Sequence, residues 1–329
     1  MPANLTQQYH KAEKDYRRAS SPDEELRCLL VMLRELPKHK GTDKLQADLK
    51  QRISKAKVDA EAARNNKRGY GVRIPRQGAG RVILLGGPNS GKSQLLCSLT
   101  RATPEVAIYP FTTRDPTPGM MPWDDIQIQI IDTPPITTDF LEPYLQGLIR
   151  GSDLALLIVD LGDDDGIDQC HEVWQRLDAT KTRLANRSYL DVEDIGQSFT
   201  QCFLVGNKID SDGATERMAL LPDLLHLGLT IFPVSAETKV GLQELKQSIY
   251  DSLEIVRVYT KHPTKREPDF KSPYTIQRGG TLAEVAAMIH HDFATRLRFA
   301  RVWGSTVHDG TTVKGDYVLH DKDIIELHI

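Results

Sequence analysis

The run GGPNSGKS at residues 86–93 constrains this chain more than any other feature. It fits G-x-x-x-x-G-K-[ST] and stands between an apolar run at 82–85 and a stretch carrying Leu95, Leu96 and Leu99. Between a strand and a helix, glycines let backbone N–H groups turn inward around phosphate oxygens, and the helix N-terminus adds its dipole. Gly86, Gly87, Pro88, Asn89, Ser90 and Gly91 are the expected cradle. Lys92 is the expected bridge to the outer phosphates and Ser93 a hydroxyl ligand for Mg²⁺. Composition alone yields such a match in roughly 1% of chains this long, so a bare glycine-rich turn is a minor competitor.

A further apolar run at 126–131 is interrupted by Gln127 and Gln129, and those at 154–159, 203–205 and 231–234 do not alternate with polar residues. That pattern suits central parallel strands covered on both faces by helices, so the fold class is α/β with a parallel sheet. Asp132 follows the second run, where a carboxylate at a strand's C-terminal end holds Mg²⁺ through its water shell. NKID at 207–210 follows a later run. Guanine presents two adjacent N–H donors that one carboxylate, Asp210, accepts together; adenine lacks the pair and leaves that carboxylate unsatisfied. Asn207 is expected to brace the loops, the stem of Lys208 to cover the base, and Ser235-Ala236 to offer a backbone N–H to the guanine oxygen.

At 329 residues the chain is long enough for two or three domains with their own cores. Leu5, Tyr9, Ala12 and Tyr16 recur at helical spacing; Ser21-Pro22-Asp23-Glu24 reads as the start of a second helix, and Thr42 as the cap of a third carrying Leu45, Leu49 and Ile53. Residues 34–76 hold 13 Lys/Arg against five acids in a chain of net charge -3. That surplus suits a phosphate backbone, or equally a solvated helix face. A glycine-punctuated linker at 69–80 follows, a polar surface insertion is expected at 181–200, and after Ser252 short strands, one helix at 282–293 and turns mark a small α+β domain. The predicted domains are 1–78 (helical, basic), 79–254 (nucleotide-binding) and 255–329. Cys28, Cys97, Cys170 and Cys202 show no metal spacing. Neither a secretion signal nor an apolar run of spanning length is read, so a cytoplasmic protein is expected. Asp163, Asp165, Gly166 and Glu172 imitate part of a Ca²⁺ loop whose first ligand position is occupied by Leu161.

These motifs resemble the translation-factor-like GTPases. YPFTTRDPTPGM at 109–120 looks like the switch segment of the Obg and developmentally regulated GTP-binding protein family. RVYTKHPTK, GGTLAEVAAMIHHDFATRLRFARVWGSTV and DYVLHDKDIIELHI resemble the TGS domain that ends the latter group. The resemblance implies a C-terminal TGS β-grasp fold, GTP and GDP as ligands, and association with ribosomes or structured RNA. It makes Thr113 the switch threonine that closes on Mg²⁺ beside the γ-phosphate, with Thr112 as the alternative, and matches Asn89 to a residue that places K⁺ in potassium-stimulated relatives. A loop Asn closing a turn is the competing reading. Two departures stand out. The family's Asp-x-x-Gly reads Asp132-Thr133-Pro134-Pro135, and proline has no N–H for a γ-phosphate. Ile136 stands where Ras-like enzymes carry a water-orienting Gln. Two functions remain open: slow GTP hydrolysis as a ribosome- or RNA-associated switch, or a nucleotide-stabilised RNA-binding module without turnover.

Overall fold

The computed structural model describes residues 7–19, 22–37, 42–65, 74–100, 116–138, 141–190, 197–225, 228–264, 267–290, 293 and 296–328. The chain opens on three helices, α1 (Gln7–Arg18), α2 (Pro22–Glu35) and α3 (Asp43–Asn65). Each lays an apolar stripe at three- and four-residue spacing into one cluster: Tyr9, Ala12 and Tyr16 from α1, Leu29 and Met32 from α2, and Leu49, Ile53 and Ala56 from α3. The Thr42 carbonyl accepts the first bond of α3 from Gln46, while its hydroxyl donates to the Pro37 carbonyl at 2.5 Å. Leu5 and Ser21 lie outside the described residues.

A sheet of eight strands follows. It comprises β1 (Arg81–Gly86), β2 (Thr117–Trp123), β3 (Ile126–Asp132), β4 (Leu154–Asp160), β5 (Thr182–Ala185), β6 (Tyr189–Leu190), β7 (Ser198–Asn207) and β8 (Thr230–Pro233). The order is β2-β3-β1-β4-β7, with β5, β6 and β8 all pairing with β7. The pairs β3–β1, β1–β4, β4–β7 and β7–β8 are parallel. Ile83, Leu85, Ala155 and Leu157 face one core, under α5 (Pro143–Arg150), α6 (Gly166–Asp178) and α7 (Ala214–Leu225). Val82, Leu84, Leu154 and Leu156 face the other, under α4 (Lys92–Leu99) and α8 (Leu242–Ser252). Both faces being covered is why these strands read as unbroken apolar runs.

Two features depart from the sequence reading. The stretch at 181–200 is no mere insertion: Thr182 and Leu184 are buried at alternate positions of β5, and β7 runs ten residues, well beyond the apolar run at 203–205. Its first half buries Ser198 and Thr200, so polarity concealed a strand. Strand β2 was hidden by Pro118, Gly119 and Pro122; it tolerates them because it is an edge strand paired antiparallel with β3.

The C-terminal part is a five-stranded sheet in the order β10 (Asp269–Gln277), β9 (Ile255–Thr260), β13 (Asp323–His328), β11 (Phe299–Gly304), β12 (Val307–Val313). Only the β9–β13 pairing is parallel. Helix α9 (Leu282–Ile289) packs Leu282, Val285 and Ala286 on Val258, Ala300, Val302 and Ile325, which is the β-grasp arrangement. The helix stops four residues before the expected Phe293, with His290 already extended at φ -162°. Among the described residues no helix is long and apolar enough to cross a membrane.

Candidate nucleotide site

The C-terminal ends of the parallel strands gather the phosphate loop, Asp132, NKID and Ser235-Ala236 at one rim of the sheet, where ligands of open α/β folds bind. Gly86 ends β1, Asp132 ends β3, Asp160 ends β4 and Asn207 ends β7, with Ser235-Ala236 just beyond β8. Lys92 opens α4 and is 7% exposed. Its ammonium donates to the carbonyls of Gly86 at 3.1 Å and Gly87 at 2.7 Å, across the mouth of the loop. Burial lowers its pKa to about 8 against the opposing pull of Asp132. Asn89 sits at φ 57° in the left-handed region, the conformation of a loop tip.

Gly91 must be glycine for two reasons. Its φ is 86°, and a Cβ there would lie 2.2 Å from the Asn207 side-chain nitrogen. That nitrogen donates to the Ser90 carbonyl at 3.0 Å, while Asn207 Oδ1 accepts the Ala236 N–H at 3.1 Å. Fully buried, Asn207 thus ties residues 90 and 236 together, joining the loop after β1 to the segment after β8. Lys208 adopts φ 63°, and its ammonium meets Asp160 Oδ2 at 2.5 Å, which fixes the direction of its stem. Asp210 is exposed at the same rim. The backbone N–H groups of Ser235 and Ala236 are both engaged, by the Val240 carbonyl and by Asn207.

Ser93 Oγ donates to Asp132 Oδ2 at 2.5 Å. The other carboxylate oxygen, Oδ1, is buried without a hydrogen-bond partner. Burial raises the Asp132 pKa, although the Ser93 hydroxyl and Lys92 work against it. A buried acceptor without a donor demands a cation or water, so the donor set fits a hydrated Mg²⁺. Thr113 and Thr112 lie outside the described residues.

Beyond Asp132 the chain is pinned. Thr133 Oγ1 donates to the Leu84 carbonyl at 2.6 Å, and Ile136 N–H donates to the Gly86 carbonyl at 3.2 Å. Pro135 is exposed at the rim, whereas the Ile136 side chain is 1% exposed and packs with Leu145, Ile149 and Leu161. Asp160 was not singled out as a site residue, although its place at the end of an apolar strand repeats that of Asp132. The side chain of Gln169, on α6, lies against Gly87 and had no local signature.

Residues 81–191 match the family model of the 50S ribosome-binding GTPases, and residues 256–329 match the TGS domain. A GTP-binding protein of Methanocaldococcus jannaschii is 28% identical over 93% of each chain. Developmentally-regulated G-protein 2 of Arabidopsis thaliana is 26% identical over 88% of this chain and 87% of its own. Among solved structures, the Schizosaccharomyces pombe YchF GTPase shares the fold with a TM-score of 0.52 and 14% identity, covering 78% of this chain and all of that one. With the phosphate loop, NKID and the β-grasp sheet in this order, the chain joins a domain matching the 50S ribosome-binding GTPases to a TGS domain and is similar over most of its length to the developmentally regulated GTP-binding proteins.

Proposed function

We propose that this chain is a guanine-nucleotide switch that binds GTP and GDP with Mg²⁺, hydrolyses GTP slowly, and engages a ribosome or structured RNA in the cytoplasm. The observation that carries the nucleotide part is the Asp132 carboxylate: one oxygen on Ser93, the other buried without a donor, with the Lys92 ammonium nearby. In this reading the backbone N–H groups of the loop from Gly86 to Ser93, Pro88 excepted, cradle the phosphates, and Lys92 leaves the Gly86 and Gly87 carbonyls for phosphate oxygens. Asp210 accepts the two guanine donors, Lys208 covers the base, and Ala236 N–H is shared with the guanine oxygen. Ser93 and Asp132 hold Mg²⁺, joined by Thr113 when the γ-phosphate is present. Mg²⁺ neutralises charge on the phosphate oxygens. Hydrolysis then rests on positioning and electrostatics from Lys92 and the loop, with K⁺ beside Asn89 as a further cation.

A second reading, nucleotide binding without turnover, is favoured by one observation: Ile136 is buried and Pro135 offers no N–H, so neither orients an attacking water. GTP turnover in K⁺ and in Na⁺, with and without ribosomes, separates the two. Turnover that rises in K⁺ and loses that rise in Asn89→Ala supports a K⁺ site, and no turnover under any condition leaves the second reading.

The partner part rests on charge. In the basic stretch Lys50 and Lys57 are exposed, as is Arg34, whereas Arg76 is committed to Asp153. The RNA-binding reading therefore leans on the helices of residues 1–78, with the domain at 255–329 supplying shape. Co-sedimentation with ribosomes at graded salt tests it. Binding should fall steeply with salt and weaken when Lys50, Arg52, Lys55 and Lys57 are reversed in charge; equal sedimentation of parent and variant returns these residues to a solvated face.

A further inference from the structure

The β2–β3 hairpin has one end in the nucleotide site and the other in the C-terminal domain. Its register runs through seven pairs, from Thr117 opposite Asp132 to Trp123 opposite Ile126. At about 3.3 Å per residue that is a rod of roughly 20 Å. The near end is the Asp132 carboxylate that meets Ser93. The far end is the turn at Asp124-Asp125, with Asp124 at φ 46°.

That turn is held by two residues of the TGS domain, Arg257 and Tyr259. The Arg257 side chain is 5% exposed and reaches three carboxylates. Its grip is asymmetric. Toward Asp321, in its own domain, it is bidentate, with Nε to Oδ1 at 3.1 Å and Nη2 to Oδ2 at 2.7 Å, and its backbone N–H donates to the same carboxylate at 2.8 Å. Toward the hairpin a single nitrogen, Nη1, is divided between Asp124 Oδ2 at 3.1 Å and Asp125 Oδ1 at 3.0 Å. The Tyr259 hydroxyl also donates to Asp125. Tyr250, in α8, packs under the guanidinium at 5.5 Å and stacks on Trp123 at 5.6 Å. A fork fixed rigidly on one side and through one nitrogen on the other is built as a joint, since a planar guanidinium with two bonds keeps its orientation while a shared single donor lets its acceptors shift.

We propose that Arg257 is a positioning residue that couples occupancy of the nucleotide site to the TGS domain through the β2–β3 hairpin. The inference rests on the guanine-nucleotide reading above. When phosphates and Mg²⁺ draw Ser93 and Asp132 into new bonds, the paired hairpin carries the displacement to Asp124 and Asp125, and Arg257 passes it to β9 and to Asp321. Coupling of this kind is reciprocal, so whatever engages the TGS domain changes nucleotide affinity by the same factor.

The test is amide hydrogen exchange of full-length protein, read in peptides covering 255–260 and 321–325, for the nucleotide-free, GDP–Mg²⁺ and non-hydrolysable GTP-analogue states. Nucleotide affinity is measured on the same samples with a fluorescent GDP analogue. The parent should show nucleotide-dependent exchange in both peptides, with differences of about fivefold or more. Arg257→Ala should bind the GDP analogue yet lose the dependence, and Arg257→Lys, which keeps the charge but not the fork, should restore only part of it. Asp124→Gly, Asp125→Ala and Tyr259→Phe together strip the hairpin side while leaving Arg257 on Asp321, and should abolish the dependence even if Arg257→Ala misfolds. Parent protein that binds nucleotide without any change in these peptides overturns the coupling and leaves the nucleotide reading intact. Parent protein that binds no guanine nucleotide overturns both. A dependence retained in the Asp124→Gly/Asp125→Ala/Tyr259→Phe protein assigns transmission to another path and overturns the role of Arg257.

Discussion

In the proposed function Asp210 and Lys92 carry different halves of nucleotide recognition, and each is open to a single substitution. Asp210 is exposed at the rim, so changing it alters specificity with little cost to the fold. Asp210→Asn should weaken guanine-nucleotide binding about tenfold or more, in line with the worth of hydrogen bonds to a charged group, and should favour xanthine, whose carbonyl meets the new amide donor. Competition between GDP and XDP on parent and variant checks this; equal affinity of the parent for ATP and GTP would refute the role of Asp210. Lys92→Ala removes the only cation donating to the Gly86 and Gly87 carbonyls among the described contacts. It should lower GDP affinity on the order of 10- to 100-fold, with charge-assisted bonds at about 1.5–3 kcal/mol each, in a titration with a fluorescent analogue. The motifs that hold these residues were legible because they are encoded within a few neighbours along the chain. The links made by Asn207 to Ser90 and Ala236 span 117 and 29 residues, and only their geometry had to await the fold.

Among the elements, the segment after β3 separates this chain from Ras-like switches. The sequence showed that a proline and an isoleucine replace a glycine and a glutamine; the fold shows where they go. Ile136 is not a failed catalytic residue pointing at the phosphates but a core side chain under α5 and α6, with its N–H bound to the first carbonyl of the phosphate loop. Ile136→Gln should therefore give no gain in GTP turnover. It should destabilise the protein by about 1–3 kcal/mol, the cost of burying an amide without partners, as read by urea unfolding. A rise in turnover with unchanged stability would show that position 136 faces the site in solution. Strands β2 and β5 were illegible for a related reason. Pairing partners decide them, and an edge position or a half-buried sheet end accepts prolines and polar residues that local pattern counts against a strand.

Across the whole molecule, the two flanking domains both grip elements next to the nucleotide site. Arg150, at the end of the α5 helix that follows Ile136, pairs with Glu25 of α2 and lies 5.7 Å over the Tyr16 ring. Arg257 holds the turn between β2 and β3. The second contact has a pH signature. Burial opposes ionisation of Asp125 and Asp321, but hydrogen bonds from Tyr259 and Arg257 to Asp125, and from Arg257 to Asp321, outweigh it and bring both carboxyls below their ordinary value of 3.8. Lys322 adds to the pull on Asp321, and Asp124 and Tyr250 complete the groups facing Arg257. A carboxylate with a lowered folded pKa stabilises above its unfolded value and stops doing so as pH falls through the folded one. The stability advantage of the parent over Arg257→Ala should thus be full at pH 5–7 and shrink below about pH 3.8, as followed by thermal melts across that range. An advantage independent of pH would mean the joint is held by packing alone. By itself the sequence determined the phosphate-loop motif and the α/β alternation, because each is written in backbone requirements and apolar periodicity over a short stretch; the C-terminal β-grasp came from the resemblance to TGS domains. Only the tertiary structure decided that Ile136 is core, that β5 extends the sheet, and that Arg257 meets Asp124 from 133 residues away, because these depend on which distant surfaces pack together and no local pattern records the partner.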